Sequence, residues 1–323
     1  MLQTAHSTTA GDTFFESELA RLGPGQPPGA WSPSQAAAYC RLWARRSYEN
    51  FTVASWLLPR RLRQDFYNVY AYCRWADNLA DELGDPAESL RLLDWWQQQL
   101  ALCYSGRPVH PVLLALQQTI HRHQLAAPLF LDLLSAFRQD QSVRRYETAP
   151  QLLDYCRRSA NPVGRILLQL AGIQDAASAQ LSDHLCTALQ LTNFCQDLAR
   201  DTAIDRIYAP RTLWVQHGVS ETMFLERRST EPLRRLLADW VAQTRAMFDA
   251  GRPLVHRVPG WLATDIDLFA RGGEAVLDAI QQQGYDVWTR RPRISKFKKL
   301  ELLGRSLARR LGSTRTRERR EHA

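Results

Sequence analysis

The chain has 323 residues, of which 45% are hydrophobic, and it carries ten Trp, ten Tyr and eleven Phe. This supply of apolar side chains is enough for a buried core in one large domain or two smaller ones. No stretch approaches the roughly 18 uninterrupted apolar residues of a membrane span, and the N-terminus lacks a basic segment followed by an apolar one, so we expect neither a spanning helix nor a secretory signal.

The net charge of +8 at pH 7 is concentrated at the C-terminus. Residues 290–323 contain thirteen Lys and Arg against three Glu, a net charge of +10, and the remaining residues sum to −2. Apolar residues recur in this tail at helical spacing, at Phe297, Leu300, Leu303 and Leu307. A basic amphipathic helix of this kind either lies on an anionic membrane surface or docks on the protein with its charged face in solvent. Because the body of the chain is slightly acidic, we do not expect nucleic-acid binding.

The cysteines and histidines give no sign of a disulfide framework or a zinc site. The eight histidines form no HxxxH or HExxH pattern, and the six cysteines form no CxxC pair. Cysteines scattered through helix-like segments are typical of small buried side chains in a reducing compartment. We therefore predict a cytoplasmic protein, with peripheral association to the inner face of the membrane through the basic tail as a further expectation. The cysteines are Cys40, Cys73, Cys103, Cys156, Cys186 and Cys195.

The first helices are marked by Pro residues. Residues 1–30 are polar and then rich in Pro and Gly, and we predict a flexible arm here. Ser32 followed by Pro33 is typical of an N-cap and a first helical residue, and it predicts a helix to about Arg46. Pro59 marks a break before the next helical segment.

The segment Val69–Glu82, VYAYCRWADNLADE, carries the first chemical signal. If it is helical, Asp77 and Asp81 are four residues apart and project from one face, with Arg74 and Tyr70 on roughly the same side. Two carboxylates on one face suit Mg²⁺, which usually takes one or two carboxylates and bridges to phosphate oxygens. Acidic pairs of this kind are also common on solvated helix faces, so one pair alone is weak evidence.

A second pair recurs 120 residues further along the chain. A helix is predicted to start at Asp85 and Pro86, and further helical patterns are predicted at about 109–123, 128–140, 150–159, 162–172, 178–202, 231–256 and 261–283. Within one of these, Leu189–Asp201 reads LQLTNFCQDLARD, and Asp197 and Asp201 repeat the spacing of the first pair. Two such pairs facing each other across a helical bundle would make a metal cage for a diphosphate.

The pattern as a whole predicts a single all-α domain over residues 31–289, with long helices around a central cavity, between the arm and the tail at 290–323. No period-2 strands and no repeats are found. No GxGxxG or P-loop pattern is present, so we expect no nucleotide or NAD(P)H site.

These segments together resemble the squalene/phytoene synthase family. The similar parts are NFTVASWLLP with VYAYCRWADNLADE in residues 47–82, FRQDQSVRRYET with YCRRSANPVGR in 137–165, and ALQLTNFCQDLARDTAIDRIYAP in 189–210. The resemblance extends over about residues 40–300 and implies an all-α isoprenoid synthase fold with the active site in its central cavity.

The resemblance also implies roles for individual residues. Four aspartates would bind Mg²⁺ that holds the substrate diphosphate: Asp77, Asp81, Asp197 and Asp201. Five residues would contact that diphosphate or complete its cage: Tyr70, Arg74, Gln190, Asn193 and Arg290. Tyr155 would lie near the reacting carbons, where it could position a water molecule or stabilise a cation. Without the resemblance, a buried tyrosine bonded to a backbone carbonyl is the more common case.

These residue types suit the implied chemistry. A diphosphate leaves an allylic or cyclopropylcarbinyl carbon only if its developing negative charge is stabilised, which Mg²⁺ and Arg do as fixed charges. The carbocation that remains requires a dry apolar cavity that decides where it is quenched.

Within the family, the combination NF-x-VAS, FRQDQ and NF-x-QD resembles the bacterial hopanoid-pathway branch of hydroxysqualene synthases. That branch implies presqualene diphosphate as substrate and water as the second reactant, with no nicotinamide. Head-to-head synthases typically have Ser where this chain has Asn50, Arg where it has Gln196, an acidic residue where it has Arg200, and a tyrosine near Gly273. These differences favour the hydroxysqualene branch over the condensation of two farnesyl diphosphates.

Two alternatives remain from the sequence. A head-to-head synthase that makes presqualene diphosphate, squalene or phytoene from prenyl diphosphates such as farnesyl diphosphate would share all four aspartates. A protein of another class, an inactive relative that acts as a membrane-associated assembly factor, would not require carboxylates at all four positions. The basic tail could also bind a partner enzyme of the same pathway.

Overall fold

The computed structural model describes residues 12–27, 29–46 and 58–295, and these residues are mostly helical. They form thirteen α-helices and one short 3-10 helix; the only β pairing within the same ranges is a single bridge between Arg145 and Ile207. The prediction of an all-α fold is confirmed. The helices divide into two compact units, an N-terminal unit within Met1–Val143 and a C-terminal unit within Arg144–Ala323.

The N-terminal unit is built on one long helix. Its described helices are α1 (Asp12–Leu22), α2 (Pro33–Arg46), α3 (Arg60–Asp81), α4 (Pro86–Tyr104), α5 (Pro111–His123) and α6 (Ala127–Asp140). Helix α3 packs against α2, α4, α5 and α6, and it contains the whole of the first aspartate motif. Asp85 caps α4 by accepting a hydrogen bond from the backbone N–H of Ala87, with Pro86 as the first helical residue.

A buried ion-pair cluster fixes α3 against α5. The side chain of Asp65 on α3 is only 2% exposed, and it accepts hydrogen bonds from Arg122 and Thr119 of α5. His123 Nε2 lies 3.0 Å from the second carboxylate oxygen of Asp65. A buried carboxylate is stable only when its oxygens are bonded in this way, so the cluster fixes the position of α3 three turns before the first aspartate motif.

The prediction of a flexible arm over residues 1–30 is wrong for residues 12–22, which form α1. Phe15 of α1 is fully buried, with its ring 5.4 Å from that of Trp75 on α3. Glu18, one turn later, accepts hydrogen bonds from Tyr39 and Arg21. The polar surroundings of Phe15 hide this amphipathic helix in the sequence, and tertiary burial rather than local propensity stabilises it.

His110 lies in an aromatic cage at the start of α5. Its ring is 4.5 Å from that of Trp75 and 4.8 Å from that of Trp96, both edge-on. Nδ1 accepts a hydrogen bond from the backbone N–H of Val112, so the imidazole is neutral and acts as the N-cap of the helix. Complete burial lowers the pKa of His110 from 6.5 to about 3.

The C-terminal unit is organised around a second long helix. Its described helices are α7 (Ala149–Ser159), α8 (Asn161–Leu170), α9 (Ala176–Ala203), α10 (Arg211–His217), α11 (Glu221–Leu225), α12 (Glu231–Gly251) and α13 (Gly260–Gln282), with the 3-10 helix at Arg252–His256. Helix α9 has 28 residues, close to the predicted 178–202, and it packs against α7, α8, α12 and α13.

Glycines permit the closest helix contacts in this unit. At Gly164 of α8 a β-carbon would meet the side chains of Ser182 and Cys186 on α9. At Gly273 of α13 it would lie 2.5 Å from the Phe248 ring and 3.0 Å from Leu189. Larger side chains at either position would force α9 and its neighbours apart.

None of the helices in the described ranges has a window long and apolar enough to cross a membrane. Of the predicted basic tail, the structure describes residues 290–295, and residues 296–323 lie outside the described part of the chain. Apart from the correction at α1, the division into arm, domain and tail therefore stays a prediction.

The burial of neutral His110 predicts a specific loss of stability in acid. Below pH 6.5 the unfolded chain protonates this imidazole while the folded chain does not, so the unfolded state binds more protons and folding weakens as the pH falls from 6.5 towards 3. We expect this group to lower the free energy of unfolding by up to about 1.4 kcal/mol for each pH unit of acidification in that range. His110→Asn keeps an N-cap acceptor but cannot titrate, so its free energy of unfolding, measured by urea titration, should depend less on pH between 6.5 and 4. Equal slopes for the two proteins would contradict a neutral His110.

Two adjacent glycines of α13 offer a matched test of packing. Gly273→Ala should destabilise the protein by about 1–3 kcal/mol because the new methyl group overlaps Phe248. Gly272→Ala meets no atom within 4 Å and should be neutral or stabilising by up to about 1 kcal/mol, because Ala favours helix more than Gly. Urea denaturation measures the free energy of unfolding of both variants. A change of the same sign in both would contradict the close packing at Gly273.

Candidate active site

The first aspartate pair lies at the C-terminal end of α3. Asp77 is buried, Asp81 is the last residue of the helix and is exposed, and Tyr70, Arg74, Asp77 and Asp81 follow one another at intervals of three or four residues along one face. The backbone carbonyls at a helix C-terminus carry partial negative charge. Two carboxylates added there make the site strongly attractive to cations.

Arg74 is the first cation at this site. It donates a hydrogen bond from Nη1 to Oδ2 of Asp77 at 2.6 Å, and from Nη2 to Glu82 at 3.3 Å. Burial and the charge of Asp81 raise the pKa of Asp77 well above its usual value, and Arg74 acts against that rise. The arginine thus stabilises the ionised carboxylate that a metal ion requires.

The second pair lies near the C-terminal end of α9. Asp201 is buried and stands two residues before the end of the helix; the side chain of Asp197 is 16% exposed. Gln190 and Asn193, seven and four residues before Asp197, fall on the same helical face, with Gln190 buried and Asn193 half-buried. As at α3, the second aspartate of the pair lies in the last turn of a long helix and the first lies one turn earlier.

An arginine that the sequence did not single out binds this second pair. Arg291 donates from Nε to Oδ1 of Asp197 at 2.6 Å and from Nη2 to Oδ2 at 2.9 Å, a bidentate ion pair. The predicted residue, Arg290, has an exposed side chain, and its backbone carbonyl accepts a hydrogen bond from Gln283. Arg200, one turn from Asp197, is a weaker partner at 3.7 Å. The Arg-Arg pair in the sequence was the signal for this contact, but it could not show which of the two guanidinium groups reaches α9.

Gln196 fixes the segment that carries Arg291. Its Oε1 accepts a hydrogen bond from Arg291 Nη2 at 3.1 Å, and its Nε2 donates to the carbonyl of Pro292 at 2.7 Å. A pocket of about 610 Å³ beside this segment is lined by three arginines and three other residues, namely Arg290, Arg291, Arg293, Ala279, Gln282 and Gln283. The chemistry of this lining is that of an anion site.

Tyr155 lies in a buried aromatic cluster of the C-terminal unit. Its ring is 5.7 Å from that of Tyr146, 5.9 Å from that of Tyr208 and 6.2 Å from that of Phe194. Phe194 belongs to the second aspartate motif and stacks on Tyr208 at 3.8 Å. The cluster therefore connects α7, which carries Tyr155, to the part of α9 that carries Asn193 and Asp197.

Two of the positions that distinguish branches of the family have a physical explanation. Phe248 of α12 occupies the space where a side chain at Gly273 would begin, so a tyrosine cannot be accommodated there without rearrangement. Gln196 makes contacts with Arg291 and Pro292 that need an acceptor as well as a donor. Asn50 lies outside the described residues.

The donor set fits Mg²⁺. Among the residues that the structure describes, no three side chains of His, Cys, Asp or Glu are grouped to hold a metal ion by themselves. Each helix instead offers two carboxylates, and Mg²⁺ usually takes one or two carboxylates from the protein and completes its shell with water and phosphate oxygens. Such a site is suited to a metal that arrives with a phosphate-bearing substrate.

The sequence model of the family described as squalene/phytoene synthase matches residues 44–298. The chain belongs to this family. It is 31% identical over 237 residues to the hydroxysqualene synthase of Rhodopseudomonas palustris, an alignment that covers 72% of this chain and 80% of the relative. It is 27% identical over 255 residues to the presqualene diphosphate synthase of the same organism, with 79% and 91% covered.

A solved structure gives the same result for the fold. Squalene synthase HpnC of Alicyclobacillus acidocaldarius superposes with a TM-score of 0.75 at 44% identity, over 78% of this chain and 95% of that protein. The isoprenoid synthase fold expected from the sequence is confirmed. Membership in the squalene/phytoene synthase family supports an enzyme that binds a prenyl diphosphate.

Tyr155→Phe tests whether the hydroxyl of this tyrosine has a role beyond packing. The ring contacts are kept, so the free energy of unfolding should change by less than about 1.5 kcal/mol. If the hydroxyl orients a reactant, kcat with the prenyl diphosphate substrate should fall by about tenfold or more while KM changes little. Tyr208→Phe, in the same cluster, is the matched control. An unchanged kcat in Tyr155→Phe would show that Tyr155 acts only through packing, and an equal loss in both variants would show an effect that is not specific to Tyr155.

Proposed function

We propose that this member of the squalene/phytoene synthase family converts presqualene diphosphate and water to hydroxysqualene and diphosphate in a Mg²⁺-dependent reaction without NAD(P)H. Asp77 and Asp81 on α3, and Asp197 and Asp201 on α9, are the proposed metal ligands. Two observations support this reaction over others in the family. The chain is similar to a hydroxysqualene synthase, and it departs from the head-to-head pattern at Gln196 and near Gly273, where the expected tyrosine is missing.

The observation that carries the proposal is common to the two helices. Each has an aspartate pair four residues apart at its C-terminal end, and in each pair the first aspartate is bound by a guanidinium group, that of Arg74 or that of Arg291. Carboxylates for a metal and arginines for an anion, placed side by side, are the groups that a metal-bound diphosphate requires.

The chain's own residues then have defined tasks. Each unit has its own groups that would donate hydrogen bonds to diphosphate oxygens, Tyr70 and Arg74 in the N-terminal unit and Gln190, Asn193 and Arg291 in the C-terminal unit. Bound Mg²⁺ supplies the positive charge that stabilises the departing diphosphate. The electron pair of the broken bond leaves with the diphosphate, and the cyclopropane opens to an allylic cation.

Quenching of this cation requires one water molecule. The water oxygen forms the new bond to carbon, and its proton leaves to the released diphosphate or to solvent, which completes the alcohol. The hydroxyl of Tyr155 is the proposed positioning group for that water. The neighbouring rings of Tyr146, Phe194 and Tyr208 are buried and restrict the access of other water molecules.

A second candidate is a head-to-head prenyl diphosphate synthase, because the chain is also similar to a presqualene diphosphate synthase. Purified protein with Mg²⁺ should be incubated separately with presqualene diphosphate and with farnesyl diphosphate, and the lipid products identified by mass spectrometry. Hydroxysqualene from the first substrate and no product from the second is expected. Presqualene diphosphate or a C30 hydrocarbon from farnesyl diphosphate would instead favour the second candidate.

Substitution of one metal ligand separates an enzyme from an inactive assembly factor. Asp197→Asn removes a negative charge from the proposed metal site, and we expect turnover to fall by at least about 10³-fold, the scale of a lost electrostatic group in an active site. Asp183→Asn, on the same helix and paired with Arg165, is the control that should keep turnover. Unchanged turnover in Asp197→Asn, with circular dichroism showing a folded protein, would exclude Asp197 as a metal ligand.

A further inference from the structure

The bidentate pair between Arg291 and Asp197 competes with metal binding. The guanidinium occupies both carboxylate oxygens of Asp197, at 2.6 and 2.9 Å. A divalent cation at Asp197 needs at least one of these oxygens, and it also places a second positive charge beside the guanidinium. Metal binding at the second pair therefore requires Arg291 to move away or to gain a negative partner.

Gln196 holds Arg291 within reach of Asp197 and of the arginine-lined pocket. Its amide accepts from the side chain of Arg291 and donates to the backbone carbonyl of Pro292, so it holds both the guanidinium and the backbone that follows it. An arginine at position 196 has donors only, and it would repel Arg291 instead of accepting from it. An arginine could still donate to the carbonyl of Pro292, but only a side chain with an acceptor, such as the amide of Gln196, can also bind Arg291.

The segment that Gln196 fastens also lines the arginine-rich pocket. Arg291 is one of three arginines around this 610 Å³ space, and both Arg290 and Arg293 are exposed. Arg291 lines the pocket while its guanidinium binds Asp197, so the same side chain is placed to bind either the carboxylate on α9 or an anion in the pocket. A diphosphate is such an anion, and it can bind Arg291 and a metal ion at the same time.

We propose that Arg291 exchanges its partner from Asp197 to the substrate diphosphate, and that Gln196 is the positioning residue for this exchange, so that Mg²⁺ and diphosphate bind the second aspartate pair cooperatively. This inference rests on the proposed function and extends it to the order of binding. Without diphosphate, Arg291 keeps Mg²⁺ away from Asp197. When diphosphate binds Arg291, the carboxylate of Asp197 is released to bind the metal ion. By linkage, each ligand then raises the affinity of the protein for the other.

Calorimetric titrations with two probes, Mg²⁺ alone and Mg²⁺–pyrophosphate, test this exchange without turnover. Arg291→Gln should bind Mg²⁺ alone more tightly, by roughly three- to tenfold, because a partly exposed ion pair no longer competes. The same variant should bind Mg²⁺–pyrophosphate more weakly, by about tenfold or more, because it lacks an arginine that binds the anion. Opposite shifts in one variant are not expected from a general loss of structure.

Arg293→Gln removes the same charge two residues further along, at an exposed side chain, and should leave the affinity for Mg²⁺ alone unchanged. Gln196→Leu should shift both affinities in the same directions as Arg291→Gln but by less. The double variant Gln196→Leu with Arg291→Gln should match Arg291→Gln alone, because Gln196 acts through Arg291.

The exchange is overturned if Arg291→Gln leaves the affinity for Mg²⁺ alone unchanged or weakens it. It is also overturned if Arg293→Gln tightens Mg²⁺ binding as much, since that would be a general effect of charge. In both cases the wild-type protein still binds Mg²⁺–pyrophosphate and the proposed function stands. If the wild-type protein binds neither probe, the proposed function fails and the exchange fails with it.

Discussion

The helix C-terminus is the constraint on which the site depends. The last turns of α3 and α9, where the backbone carries partial negative charge, hold Asp81 and Asp201, and a second aspartate stands one turn earlier in each helix. Like charges four residues apart repel each other and destabilise the helix unless cations neutralise them. At Asp77, burial and the neighbouring Asp81 already raise the pKa of the carboxyl. The packing of α3 and α9 against their neighbouring helices offsets this unfavourable repulsion.

Arginine provides part of the neutralisation and leaves room for a metal. Arg74 is fixed by Asp77 and Glu82 on its own side of α3, and Arg291 reaches Asp197 from a segment after α13. A planar guanidinium binds a carboxylate and a phosphate with similar geometry, so each arginine can serve either partner. A lysine could not make the bidentate contact to Asp197, and a neutral side chain would leave the carboxylates to repel each other.

Much of the fold could be predicted from the sequence because its helices follow a clear apolar period and begin at Pro, Asp or Thr. Helix α9 was predicted within about two residues at each end. Helix α1 was missed because Phe15 is its one fully buried apolar side chain among the described residues, and only the tertiary structure supplies the partner rings of Trp43 and Trp75.

The candidate site was predictable where it lies on helices and less so elsewhere. The positions of Asp77, Asp81, Asp197 and Asp201 follow from the period of a helix. The choice between Arg290 and Arg291 does not, because neighbouring side chains in an irregular segment point in directions that no period determines. The part played by Gln196 was likewise visible only as a departure from a family pattern, and its two hydrogen bonds supply the reason.

The central claim is that both aspartate pairs bind Mg²⁺ with a diphosphate. A crystal structure of the protein with Mg²⁺ and inorganic pyrophosphate is the most direct measurement. The account predicts metal ions bound to carboxylate oxygens of Asp77 or Asp81 and of Asp197 or Asp201, with pyrophosphate oxygens completing their shells. Pyrophosphate bound away from both pairs, or Asp197 still held by Arg291 with no metal beside it, would contradict that account.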